Sequence, residues 1–145
     1  MANVRFHDPV YEPKERLIYS VIAARHNGKW ILVRHRDRSA WEIPGGHIED
    51  NELPEDTARR ELMEETGAVE FNLTCVATYS VEKDGTTGYG RLFFAEVTRV
   101  EQLSPDSEIN EVNLFDCLPD NLTYPDIQPS LFRKVLEFLK TESRK

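Results

Sequence analysis

The sequence predicts an α/β fold, an α/β/α sandwich with a mixed, strongly twisted sheet held between two helices. Three observations predict it. Two apolar, strand-like runs are joined by Asn27-Gly28; a helical segment over residues 54–66 stops at Gly67; and further strand-like runs precede a helical pattern at 130–140. The chain has 145 residues, enough for one domain with a proper core and too few for two. With no repeat, low-complexity segment or linker, a single domain over 1–145 is expected.

The first run, 16–25, alternates Leu17, Tyr19, Val21 and Ala23 with Ile18, Ser20, Ile22 and Ala24, so both faces are largely apolar. Asn27-Gly28 then favours a tight hairpin, because both residues tolerate positive φ. The second run, 29–36, points Ile31 and Val33 one way and Trp30, Leu32 and Arg34 the other. Trp30 reads as a packing residue. Residues 37–40 are a polar connection, and Trp41-Glu42-Ile43 leads into Pro44-Gly45-Gly46, a backbone that turns sharply. Residues 47–53 read as loop. Pro54 suits the first turn of a helix, where its missing N–H is not needed, and Gly67 suits the stop. Strands are expected at 70–82 and 88–99, around Asp84-Gly85, with a short one at 108–115. Pro119, Pro125 and Pro129 make 119–129 an extended loop. The last helix, 130–140, carries Leu131, Val135, Leu136 and Leu139 at helical spacing.

The net charge of −8 and pI near 5.0 argue against a broad nucleic-acid surface, which needs basic residues to neutralise phosphates. They leave room for a small phosphate ligand held through cations. No apolar run approaches the roughly 20 residues of a membrane span. Residues 1–8 lack the layout of a signal peptide, so a cytoplasmic protein is expected, with no membrane partner. Cys75 and Cys117 form no Cys-x-x-Cys and are expected to be reduced thiols packed as small hydrophobes.

The segment that carries chemistry lies on the first helix. Residues 100° apart bring Glu61, Glu64 and Glu65 to one side, at spacings i, i+3 and i+4. Like charges there oppose one another by a few tenths of a kcal/mol per pair. They also sit at the C-terminal end of the helix, where the macrodipole disfavours anions. Acidic residues on a helix usually form only a solvated face. Clustered carboxylate oxygens are also what a hard cation such as Mg²⁺ requires.

The whole pattern decides between those readings. Gly46, five residues, Glu52, seven residues, then Arg60-Glu61-Leu62-x-Glu64-Glu65-x-Gly67 resembles the Nudix box. A chance match at one start position is on the order of one in a hundred million. Ala68 stands where a larger aliphatic is usual, a change expected to affect packing rather than metal binding. The resemblance implies a Mg²⁺-dependent pyrophosphohydrolase, with Mn²⁺ as an alternative cation. It implies that Glu61, Glu64 and Glu65 are metal-binding or base carboxylates and that the Gly46 carbonyl is a further ligand. Arg60 would orient a glutamate by a charge-assisted hydrogen bond, and Glu52 would brace the loop against an arginine. Members similar to MutT often add a carboxylate from outside the box, for which Glu111 is the candidate and Glu108 the second. Which of Glu61, Glu64 and Glu111 is the base stays open.

The substrate implied is a small nucleotide, not a nucleic-acid polymer. The proline of ADP-ribose hydrolases, about 15 residues past the box, is missing, and Tyr89 lies too far along for the tyrosine of diadenosine polyphosphate hydrolases. The stretches Gly28-Lys29-Trp30, His35-x-Asp37-Arg38 and Phe115-x-x-Leu118-Pro119 are similar to bacterial enzymes acting on normal and oxidised guanine nucleotides. A nucleoside triphosphate split to monophosphate and pyrophosphate is therefore expected. ADP-ribose, nucleotide sugars and dinucleoside polyphosphates are alternatives, as is a non-catalytic nucleotide sensor. Tyr19, Arg34, Arg36, Tyr89, Arg91 and Phe93 are candidates for stacking a base or pairing with phosphate. Many relatives are homodimers; nothing in the sequence reveals a dimer face.

Overall fold

The computed structural model describes residues 2–143. Strands β1 (Asn3–His7), β2 (Leu17–His26), β3 (Lys29–His35) and β4 (Gly45–His47) precede helix α1 (Pro54–Thr66). Strands β5 (Ala68–Lys83), β6 (Thr86–Val100) and β7 (Ile109–Phe115) follow, then helix α2 (Gln128–Ser143). The sheet order is β1-β5-β6-β2-β3-β7, with β4 added beside β2. Only β2 and β6 run parallel, which makes the sheet mixed as expected.

Two hairpins turn where Asn-Gly and Asp-Gly stand. Asn27 and Gly28 have φ of 54° and 79°, and Asp84 and Gly85 have 54° and 80°, the paired positive values of a tight turn that matches strand twist. Strand alternation then divides the apolar residues between two layers. Val21, Ala23, Trp30 and Leu32 pack with Leu131, Phe132 and Val135 of α2. Ile22, Ala24 and Ile31 pack with Ala58 and Leu62 of α1. Trp30 is a packing residue, its ring edge-on to Phe132 at 4.9 Å between centroids.

The feature that positions the site is a split in the sheet. β2 and β3 pair only at Arg25↔Trp30 and His26↔Lys29 and then part, in keeping with the strong twist of two-stranded ribbons. Backbone groups left unpaired there need partners, and residues 41–47 supply them. Val33 and Glu42 exchange backbone hydrogen bonds, and the Ile22 N–H donates to the Pro44 carbonyl at 2.8 Å. β4 completes the wedge with pairs Tyr19↔His47, Ser20↔Gly46 and Val21↔Gly45. The turn at Pro44-Gly45-Gly46 is thereby driven into the sheet, facing α1.

Several elements differ from the sequence expectation. Residues 45–47 form a strand instead of a turn and loop, because the split offers an open edge that no local pattern announces. β1 was not expected; it pairs with β5 over five residues, and Val4 and Phe6 pack onto the α2-side core. α2 begins at Gln128, two residues early, because the Gln128 side chain is buried and accepts a hydrogen bond from the Ile43 N–H. Cys75 packs against the α1-side core, as expected of a small hydrophobe, whereas Cys117 is exposed. No helix among the described residues is long and apolar enough to cross a membrane.

Leu62 is fully buried between α1 and the sheet. Leu62→Ala is expected to lower unfolding free energy by ~2–5 kcal/mol, read as a shift of the urea midpoint at unchanged slope.

Candidate active site

α1 carries the three box glutamates in different surroundings. Glu65 is 6% exposed. Its Oε1 accepts the Gly45 N–H at 2.9 Å, and its Oε2 lies 3.2 Å from His35 Nε2. Glu61 lies against Gly46 so closely that a Cβ there would sit 2.6 Å from Glu61 Oε1. Glycine at 46 is therefore a matter of space: it lets backbone and carboxylate share one spot. Glu64 is the exposed member of the three.

Arg60 is the cation that makes this crowding tolerable. Its Nε and Nη2 donate to the two oxygens of Glu52 at 2.8 and 3.0 Å, a two-pronged pair. Its Nη1 donates to Glu61 at 2.8 Å and reaches Glu64 at 3.5 Å. Glu52 also accepts the Thr57 hydroxyl at 2.6 Å and the Glu49 N–H at 3.1 Å. The expected bracing of the loop by Glu52 thus uses Arg60 itself. The Arg60 bonds, with those from Thr57 and Glu49, pull the Glu52 carboxyl down to about 2.

Glu61 moves the opposite way. Burial first, then the negative charges of Glu65 and Glu64, outweigh Arg60 and push it up to about 7. Among the described residues no group of three acidic, imidazole or thiol side chains already converges as a metal site. Glu61 leans on Arg60, and Glu65 is held by Gly45 and His35. The donor set still fits a hard divalent cation. All its atoms are oxygens, and Glu61 is crowded by the charges of Glu65 and Glu64, which a divalent cation would offset.

Glu111 stands on β7 opposite Arg34 of β3, and the Arg34 Nη2 donates to its Oε1 at 2.6 Å. Glu108 offers its carbonyl to the Arg36 N–H, with its side chain exposed. Neither carboxylate belongs to a group of three acidic, imidazole or thiol side chains that could hold a metal among the described residues.

Five of the six substrate candidates lie on strands and fall on opposite faces of the sheet. Tyr19 follows Val21 and Ala23 to the α2 side, where it is 41% exposed and its ring lies tilted against His47, 4.4 Å between centroids. Arg34 lies on the same side, its guanidinium 5.8 Å from the centre of the Trp41 ring. Tyr89 and Arg91 take the α1 side with Phe93, by the alternation that puts Leu92 and Phe94 opposite. Phe93 is 2% exposed beneath α1 and offers no face to a base, which corrects that expectation. Arg91 is occupied by the Tyr11 carbonyl, Thr78 and Glu12, clamping the N-terminal segment. Arg36 donates to the carbonyls of Ser107 and Pro105, so it anchors a loop.

Sequence reasoning missed His35, Glu42 and His47. His35 touches two acidic residues, and its bond with Glu65 raises it above the ordinary imidazole value. Those partners lie 7 and 30 residues away, beyond any helical or strand periodicity. The only available signal was His35 itself, a polar side chain closing an apolar strand.

The NUDIX domain family model matches residues 14–130. This chain belongs to the Nudix family. Bacillus subtilis YtkD, provisionally named an 8-oxo-dGTP diphosphatase, is 35% identical over 122 residues, covering 84% of this chain and 75% of that protein. A Bacillus subtilis ADP-ribose pyrophosphatase is 35% identical over 109 residues, which span 59% of it. A solved Bacillus subtilis pyrophosphohydrolase superposes with a TM-score of 0.77 at 27% identity, covering 94% of this chain and 90% of that one. The protein is a Nudix hydrolase that cleaves a diphosphate linkage in a nucleotide-type substrate. Nudix hydrolases act on small nucleotides and generally use a divalent metal, for which the oxygens around Gly46 are the suited donors.

The lowered Glu52 carboxyl stabilises the fold above its ordinary value near 4.5, and that contribution is lost as pH falls toward about 2. Chemical unfolding of this Nudix hydrolase against pH is expected to show that acid loss, and Glu52→Gln is expected to flatten it.

Proposed function

We propose that this Nudix hydrolase uses Mg²⁺ to split a nucleoside triphosphate, normal or oxidised, into monophosphate and pyrophosphate in the cytoplasm. The observation that carries the reading is the contact between Gly46 and Glu61 beside the crowded glutamates of α1. Glu61, Glu64, Glu65 and the Gly46 carbonyl would hold the cation, with Mn²⁺ able to take the same oxygen set. When bound, the cation neutralises polyphosphate charge and makes its water more acidic.

The remaining work falls to the chain. Arg60, paired with Glu52, holds Glu61 in place by its Oε1 at 2.8 Å. The base is one of Glu61, Glu64 and Glu111; Glu61 and Glu111 each have Oε1 bonded to an arginine, Arg60 and Arg34. Tyr19, exposed beside His47, has a face for a nucleobase, and Arg34 on the same side has donors for phosphate or base. The likeness to YtkD over most of both chains supports the triphosphate class.

Pyrophosphate and phosphate release with Mg²⁺ should be measured against canonical and oxidised deoxynucleoside triphosphates, ADP-ribose and diadenosine polyphosphates. Triphosphates are expected to give pyrophosphate, with kcat reduced on the order of 10²–10⁴-fold in Glu61→Gln and activity lost in Glu64→Gln and Glu65→Gln. Turnover confined to ADP-ribose or dinucleotides would overturn the substrate class and keep the site. Tight nucleotide binding without turnover would make the protein a sensor.

A pH effect follows from Glu61. Below about 7 a cation must displace its proton, so the cation binds less well. The rise in melting temperature on adding Mg²⁺ is therefore expected to grow between pH 6 and 8 (about one unit either side of that value).

A further inference from the structure

Glu65 and Glu42 are two nearly buried carboxylates on different elements, 6% and 9% exposed. Glu65 is on α1, and Glu42 is on the wedge that parts β2 from β3. Between them stands His35, the last residue of β3, with its Nε2 3.2 Å from Glu65 Oε2 and 3.7 Å from Glu42 Oε2. Strand alternation puts His35 on the α1 side in phase with Ile31, and Arg34 on the other. Arg34 accordingly takes Glu111, and His35 lies against Glu65.

The outer side of Glu42 is also held. Arg38 Nη1 lies 2.8 Å from Glu42 Oε1 and 3.2 Å from the Tyr124 hydroxyl. A continuous polar chain therefore runs from Tyr124, before α2, through Arg38, Glu42 and His35 to Glu65. Glu65 Oε1 is meanwhile fixed by the Gly45 N–H at 2.9 Å. Each Glu65 oxygen thus has one polar neighbour, from two different segments: the Gly45 N–H at Oε1 and His35 Nε2 at Oε2.

We propose that His35 is the positioning residue of Glu65, donating from Nε2 to orient that carboxylate toward a divalent cation, with Glu42 and Arg38 holding the imidazole. The inference rests on Glu65 being a metal-binding carboxylate. Partners that orient a ligand in this way shift metal affinity by on the order of 10–100-fold when removed. The role depends on reach: a donor must stand where Nε2 stands.

Two amide variants separate reach from mere polarity. The glutamine amide nitrogen falls near the position of Nε2, and the asparagine amide nitrogen falls near Nδ1. The measurement is binding of Mn²⁺ alone, by electron paramagnetic resonance of the free ion, to the intact chain without nucleotide. His35→Gln is expected to bind Mn²⁺ within a few-fold of the wild type, and His35→Asn on the order of 10-fold or more weaker. Equal affinities in the two variants, whether both strong or both weak, would overturn the proposal. Glu65→Gln is the control for the underlying reading. If it binds Mn²⁺ as the wild type does, the assignment of Glu65 to the metal fails, and the His35 proposal falls with it for that separate reason.

Discussion

The parting of β2 from β3 after two residue pairs is the constraint on which the rest of the site depends. An opened ribbon exposes backbone donors and acceptors in the middle of a sheet, where they must be paired. The wedge of residues 41–47 pairs them, and in doing so brings Gly45 and Gly46 against α1. Gly45 is packed so tightly that a Cβ would sit 2.6 Å from the Ser20 carbonyl oxygen. Backbone satisfaction and the placement of a site atom are thus one event. The glutamates of α1 could not approach the chain so closely at any ordinary strand.

That approach concentrates negative charge, and the structure meets it with few cations. α1 has no basic residue in its last turn, where one would oppose the helix dipole. Arg60 compensates from within the helix and is itself locked by Glu52, so it cannot swing away to solvent. The arrangement lowers one carboxyl and leaves its neighbour raised, although both contact the same guanidinium. The difference is environment: Glu52 collects donors from Arg60, Thr57 and Glu49, whereas Glu61 is desolvated beside Glu65.

The two faces of the sheet divide the labour. On the α1 side Arg91 clamps the Tyr11 carbonyl, and His7 stacks on Tyr11 at 4.6 Å, so polar and aromatic groups there bind the chain to itself. On the α2 side Tyr19 and Arg34 keep exposed or unsatisfied groups; the Arg34 Nε is buried without a partner. A buried donor left unpaired is costly.

The sequence by itself determined what depends on spacing along the chain. The Asn27-Gly28 turn, the two-faced strands, α1 with its Gly67 stop, and the row Glu61, Glu64 and Glu65 all follow from periods of two and 3.6 residues. The box resemblance added Gly46, Glu52 and Arg60 in their places. Only the tertiary structure decided which partners meet across the chain. His35 meets Glu65 between β3 and α1, Arg34 takes Glu111 across β3 and β7, and Phe93 is core while Tyr19 is open. Local periodicity fixes which way a side chain leaves its own element. Register, bulges and the split between strands decide what it finds there, and those arise from pairing between segments tens of residues apart.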